Sequence, residues 1–261
     1  MWGGDTLKKF MKIIQMSYMG QTNDGYLYVL PRILVKLLYL LPMLVLWRVL
    51  AKQGANLPWT LSQLLSYTYV QTLFADLLVV QTEASSWNYE GKLVSYFTRP
   101  FGVLRQLVAQ TMGSWIPMLL FFALPMYLLS PLIGIDVIPR TFWFFPSLCL
   151  CVMLGFAIDF IFVCVTIHLR GMAWLGYVIR MSIAALFSGS VIPFSMMPVF
   201  LIPFLQIQPF GSLAGAPLSF LVGQAEPFRV IGLQVFWNMV LWPIAIGWFR
   251  KSQETMVSYG G

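Results

Sequence analysis

The sequence predicts an all-α membrane protein with six transmembrane helices, an amphipathic interfacial helix at the N-terminus and a broken re-entrant segment before the last span. Three observations lead there. Of the 261 residues, 59% are hydrophobic and only 10% are charged. The mean hydropathy is +0.79. The apolar residues gather into six runs near the ~20 residues that cross a hydrocarbon core. A soluble domain carries about 25% charged residues, and so few charges could not cover this much apolar surface in water. Lipid removes that constraint, and it also requires helices, because it offers no partner to backbone N–H and C=O groups. A transmembrane barrel would show short alternating segments instead.

The first element, residues 7–19, reads as an amphipathic helix too short and too charged to span. Leu7, Phe10, Met11, Ile14 and Tyr18 recur at helical spacing, with Lys8, Lys9 and Lys12 opposite. Such a helix lies in the interface with its lysines toward anionic headgroups. The opening MWGGDTLKKFMKIIQM lacks the uninterrupted apolar stretch of a cleavable signal. Spans are expected near 28–50, 61–82, 107–130, 142–167, 176–195 and 229–249.

The excess of basic residues orients the chain. With the N-terminus in the cytoplasm, the inner segments hold Lys8, Lys9, Lys12, Lys92, Arg99, Arg105, Arg170, Arg180, Arg250 and Lys251. The outer ones hold Arg48, Lys52, Arg140 and Arg229, ten against four. Arg32 and Lys36 are expected to snorkel toward the cytoplasm from the first span. Six spans return the C-terminus to the same side, so the expected location is the cell (cytoplasmic) membrane. The net charge of +7 is spread thinly between apolar runs. It suits lipid headgroups and forms no stripe for nucleic acid.

Two connections stand out. Segment 83–106, TEASSWNYEGKLVSYFTRPFGVLR, is the longest polar stretch and is expected in the cytoplasm. Its Trp87, Tyr89, Leu93, Tyr96 and Phe97 form an aromatic and apolar patch suited to a partner surface, or to packing back on the membrane interface. Segment 196–228 is long and apolar, and is broken by Pro198, Pro203, Pro209, Pro217 and Pro227. Repeated prolines forbid one continuous helix. The expectation is two short helices dipping into the outer leaflet and covered by protein.

Little points to catalysis. The only Gly-Lys pair, Gly91-Lys92, is followed by Leu93 and has no upstream glycine run, so no phosphate-binding loop is present. Cys149, Cys151 and Cys164 share one apolar run and read as small buried residues. No cofactor or metal site is expected in the chain. Asp159, in GFAIDFIFV, is the deepest charge. It is either part of a translocation pathway or a helix contact assisted by Gly155. Asp76 has a structural reading, and His168 an interfacial one. Trp47, Trp59, Trp115, Trp143, Trp174, Trp242 and Trp248 are expected at headgroup level.

Two stretches resemble the ABC-2 type permeases of ABC transporters. The first is Glu90-Gly91-Lys92-Leu93 followed by Thr98-Arg99-Pro100-Phe101. The second is Phe187-Ser188-Gly189-Ser190-Val191-Ile192-Pro193-Phe194, then Pro198, Pro209-Phe210 and Pro217. They cover roughly residues 85–225, and the six-span plan fits the whole chain. The resemblance implies the permease subunit of an exporter, with ATP and Mg held by two copies of a separate ATP-binding subunit. A second permease chain, identical or homologous, completes the complex. Trp87, Tyr89, Glu90, Gly91, Leu93, Tyr96, Phe97, Arg99 and Pro100 would form the coupling segment. Gly189, Pro193, Pro198, Pro209, Phe210 and Pro217 would form the outer gate. Family substrates include drugs, peptides, lipids and lipid-linked glycans. The alternatives are an intramembrane lipid-modifying enzyme built on Asp159, Asp76 and His168, or an ion-coupled carrier.

Overall fold

The computed structural model describes residues 4–23, 29–55, 57–84, 96, 101–169 and 173–259. The chain is 79% helical. The elements are α1 (Gly4–Thr22), α2 (Val29–Lys52), α3 (Leu61–Leu73), α4 (Ala75–Leu78), α5 (Val103–Ile133), α6 (Phe144–His168), α7 (Ala173–Phe187), α8 (Ile202–Ile207), α9 (Gly215–Leu221) and α10 (Pro227–Tyr259). Four of them are long and apolar enough to cross a membrane: α2, α5, α6 and α10. The chain therefore has the build of an all-α membrane protein. The other two expected spans hold shorter helices. Segment 61–82 stops being helical at Leu73, resumes for one turn in α4, and is non-helical from Val79. Segment 176–195 is helical only to Phe187.

The short α3 sits at the centre of the bundle. Every residue from Gln63 to Leu73 is buried, including Gln63, Ser66, Thr68, Gln71 and Thr72. Protein surrounds α3, so its polar side chains find protein partners. Thr60 caps the helix, taking the Gln63 N–H on its hydroxyl while its own N–H donates to Gln63 Oε1 at 3.0 Å. This reciprocal cap satisfies two N-terminal donors. The Trp47 indole donates to Thr68 Oγ1 at 2.8 Å, and Tyr69 OH donates to the Met126 carbonyl at 2.6 Å. Trp47 and Trp115 are thus buried core residues, not interfacial ones. By contrast α2 turns Leu38, Leu41 and Val45 outward, as a lipid-facing helix should.

Prolines are absorbed locally. α5 carries Pro117, Pro125 and Pro131 and contains a π-helical turn, Leu119–Ala123. Pro131 has no N–H for the Tyr127 carbonyl four residues back. Ser130 Oγ supplies the missing donor at 2.7 Å.

Two apolar clusters fill the bundle. One joins α2, α3, the middle of α5, the start of α6 and α9. The other joins Val80, Leu107, Trp115, Phe156, Phe160, Ala245 and Phe249. α1 is longer than the expected 7–19 and packs on the first half of α5, where Ser17 Oγ donates to the Gln110 carbonyl at 2.7 Å. Leu7 and Met11 remain exposed on its flank, a surface that suits lipid. Cys149 is exposed, whereas Cys151 and Cys164 are buried.

The α1–α5 contact generates a test. A Cβ at Gly113 would lie 2.5 Å from the Ile14 carbonyl and 2.7 Å from Ser17 Cβ. Gly113→Ile should therefore push α1 off α5, at a cost of about 1–3 kcal/mol. A cysteine probe at Ser17 should label at least several-fold faster in that background. Unchanged labelling would mean that α1 is not seated there.

Candidate functional site

The polar centre of the molecule lies where the second apolar segment leaves its helix. Phe74 ends α3 with φ −104° and ψ 19°, and Val79 ends α4 with φ −128° and ψ 76°. From Val79 the backbone runs without helical partners past Asp159 of α6 and Arg180 of α7. Asp159 Oδ2 accepts from the Thr82 N–H at 3.1 Å and from the Thr82 hydroxyl. Asp159 Oδ1 lies 3.3 Å from Arg180 Nη1. Arg180 Nη2 donates to the Val80 carbonyl. The Cys151 thiol lies 3.5 Å from the Leu78 carbonyl. Asp159 and Cys151 come from α6 and Arg180 from α7, and each meets a backbone or side-chain group at the break.

Burial decides what this arrangement can do. Asp159 and Arg180 are each 3% exposed. Both carboxylate oxygens face protein groups, Oδ2 through hydrogen bonds to Thr82 and Oδ1 through the ion pair with Arg180. Gly155, one turn before Asp159, brings α6 against the break, since a Cβ there would lie 2.7 Å from Val80 Cγ2. The helix-contact reading of Asp159 fits this geometry. Arg180, assigned by sequence to the cytoplasmic charges, is instead the buried counter-ion. An arginine midway through the apolar run AWLGYVIRMSIAALF was the available signal. A buried carboxylate elsewhere in the chain gives such an arginine a partner.

A second charge pair holds the other side of the break. Lys36 Nζ lies 3.0 Å from Asp76 Oδ2 and 5.8 Å from the centre of the Phe122 ring. Asp76 thus has Lys36 as its partner, which fits its structural reading. His168 ends α6 exposed, its Nδ1 2.7 Å from the Cys164 carbonyl, far along the helix from Asp159. Among the described residues no cluster of His, Cys, Asp or Glu could hold a metal ion.

Segment 196–228, expected on the outer side, is built as two short helices, α8 and α9, with 3₁₀ turns at Phe194–Met196 and Pro209–Ser212. Gly189 ends the turn after α7 with φ +72°, a conformation that costs a side-chain residue. Its carbonyl accepts from Tyr67 OH at 2.6 Å, which ties the turn to α3. The neighbouring Ser188 carbonyl accepts from the Gly215 N–H at 2.7 Å. Pro193 leads into the first 3₁₀ turn, Pro198 precedes α8, and Pro209 opens the second turn. Phe210 packs edge-on against Phe162. Pro217 is buried within α9.

The two short helices differ in environment. α9 is covered, and the carbonyls at its end are all taken. Phe220 O accepts from Thr141 Oγ1 at 3.0 Å, Leu221 O from the Arg140 N–H at 3.1 Å, and Val222 O from Gln63 Nε2 at 3.2 Å. α8 exposes Phe204 and Ile207, and the approach to it exposes Val199 and Phe200. One expected re-entrant helix is thus sheathed in protein and the other presents an apolar face outward.

Of the expected coupling residues, Trp87, Tyr89, Glu90, Gly91, Leu93, Phe97, Arg99 and Pro100 lie outside the described residues, as does Arg170. Tyr96 is described. Its hydroxyl accepts from Gln110 Nε2 at 3.0 Å, and its ring packs on the second apolar cluster. The chain matches no protein-family model, no curated protein and no solved structure.

Breaking a buried ion pair leaves a charge stranded, at about 3–5 kcal/mol. Arg180→Met or Asp159→Asn alone should therefore lower the unfolding temperature in detergent sharply. The double variant should recover much of the loss, because neither charge is then unpaired. Additive losses in this cycle would mean that the two residues are not energetically coupled.

Proposed function

We propose that the chain is the membrane-spanning subunit of an ATP-driven exporter. It would move an amphipathic or apolar substrate outward while a separate ATP-binding subunit does the hydrolysis. The observation that carries this reading is the outer segment. Two short proline-broken helices between α7 and the last long helix cap a bundle whose central helix is packed on all sides. That arrangement supports a conduit closed from outside, and it fits the resemblance to ABC-2 type permeases in the stretch from Gly189 to Pro217. The missing phosphate-binding loop and the aromatic 83–106 connection support a nucleotide site on a partner.

In this reading the chain crosses the membrane six times. The four long helices are joined by the α3–α4 segment and by α7 with its Gly189 turn. Both termini are cytoplasmic, which places 83–106 beside the ATPase. With Arg180 assigned to the interior, the basic residues still favour the inside, nine against four. The engaged state of Asp159 speaks for a conduit rather than for an intramembrane enzyme.

The test is coupling. Co-expressed with its ATP-binding subunit, the tagged chain should co-purify with it, and ATP hydrolysis should rise in the complex. Leu93→Asp places a charge in the apolar contact and should cut stimulated hydrolysis about tenfold or more, the effect of removing an interface anchor, while membrane insertion is kept. Full stimulation in the variant, or no ATPase in the purified complex, would defeat the proposal.

A further inference from the structure

A cleft of about 210 Å³ opens between α8, α9 and the start of α10. Its polar lining includes Gln206 of α8, then Ser212, Gln224, Glu226 and Arg229. Glu226 and Arg229 are exposed and stand three residues apart, yet neither side chain forms an ion pair or hydrogen bond with any described residue. The side-chain amides of Gln206 and Gln224 also bond to no described residue. Ser212 is only 3% exposed, and its hydroxyl is uncommitted among the described residues as well. Helix stability does not account for Arg229. It lies in the first turn of α10, where the helix dipole disfavours a cation.

Position and size say which part of a ligand fits. The cleft lies at the end of a long apolar helix, beside the exposed rings of Trp143 and Phe228, whose centres are 6.4 Å apart. Exposed aromatic rings at the end of a span mark the headgroup layer. The volume is below the roughly 300–1,000 Å³ of sites that enclose a whole drug-sized molecule, so the cleft encloses a headgroup and leaves the rest outside. Outside is apolar, because α8 brings Gln206 to the cleft and turns Phe204 and Ile207 outward. Charge selects the headgroup. An anion alone would meet Glu226, a cation alone would meet Arg229, and a neutral group would answer neither. A group with both signs answers both. A phosphate takes the guanidinium fork, and a primary ammonium offers N–H donors to the carboxylate.

We propose that this cleft binds the headgroup of a zwitterionic aminophospholipid. Its phosphate meets Arg229, its ammonium meets Glu226, and its acyl chains run over Phe204 and Ile207 of α8. Gln206, Gln224 and Ser212 are left to the remaining headgroup oxygens. The site belongs to this chain alone and holds whether or not an ATPase drives it, so the inference stands apart from the transport reading.

The experiment uses the full chain without any ATPase, purified in mild detergent and titrated under native mass spectrometry. The probes are phosphatidylethanolamine, phosphatidylcholine and phosphatidylglycerol with identical acyl chains. One phosphatidylethanolamine should be retained, at least about tenfold more tightly than either of the others, the effect of one charge-assisted hydrogen bond. Glu226→Gln should erase the preference over phosphatidylcholine, whose ammonium has no N–H. Arg229→Gln should weaken both zwitterionic lipids about tenfold. Equal retention of the three lipids by the unmodified chain, or an undiminished preference in Glu226→Gln, would overturn the proposal. Soluble glycerophosphoethanolamine at equal concentration should not displace the lipid. Displacement would give the cleft to a free zwitterion and overturn the lipid assignment. Should a variant not fold, a phosphatidylethanolamine with a photoactivatable group beside its headgroup is applied to the unmodified protein. Adducts on Phe194, Gln206 or Leu233, which line the cleft, would support the site. Adducts confined to other surfaces would overturn it.

Discussion

Inside a bilayer a peptide group that leaves its helix has no water to turn to, and the second apolar segment leaves its helix at Phe74. Everything around that point supplies what lipid cannot. Asp159 takes the Thr82 N–H, Arg180 gives to the Val80 carbonyl, and Cys151 reaches the Leu78 carbonyl. An isolated carboxylate or guanidinium would be costly at this depth. Placed together, each charge is neutralised by the other while both serve the backbone. The pair is thus best understood as part of the chain's hydrogen-bond inventory, and its net worth as an ion pair is secondary.

This constraint shapes the rest of the bundle. A broken segment must be enclosed, so α3 is surrounded and α4 buries Leu78, and the long helices α2 and α10 take the lipid-facing positions. α6 must approach closely, which Gly155 permits. α7 must present Arg180 inward while Trp174, Tyr177 and Val178 face out. The same logic recurs in the outer segment, where α9 ends inside protein and three carbonyls in succession find donors from Thr141, Arg140 and Gln63. Gln63 takes part in both the α3 cap and the α9 end. Hydrogen bonds therefore join the central helix to α9, as they join α7 to α3 through Gly189 and Tyr67.

The parts of this fold legible in the sequence are those that hydropathy reports. α2, α5 and α6 lie within a few residues of their expected positions, α10 starts where expected but runs on to Tyr259, and the proline-broken segment 196–228 divides into two short helices. Hydropathy measures affinity for lipid, however, and is blind to burial in protein. The run LSQLLSYTYVQTL reads as a modest span, whereas its polar residues mark a helix with protein on every side. Arg180 was misread for a related reason. Counting charges by loop assigns it to the nearest interface, but its partner Asp159 lies 21 residues away in sequence. Trp47 likewise looked interfacial until Thr68 supplied a partner for its indole. In the expected gate, prolines and a left-handed glycine shape the backbone locally, and the turn at Gly189 is tied to α3 and α9. The coupling segment rests on sequence alone, apart from Tyr96.

The central claim is that protein groups protect the broken backbone between α4 and residue 84. Hydrogen–deuterium exchange in lipid nanodiscs measures this directly, because an amide that opens to solvent exchanges at once and a bonded, buried one does not. The Thr82 amide should exchange as slowly as the amides of α3, over hours. Exchange of Thr82 within seconds, while α3 stays protected, would show that Asp159 does not hold the break and would contradict the account.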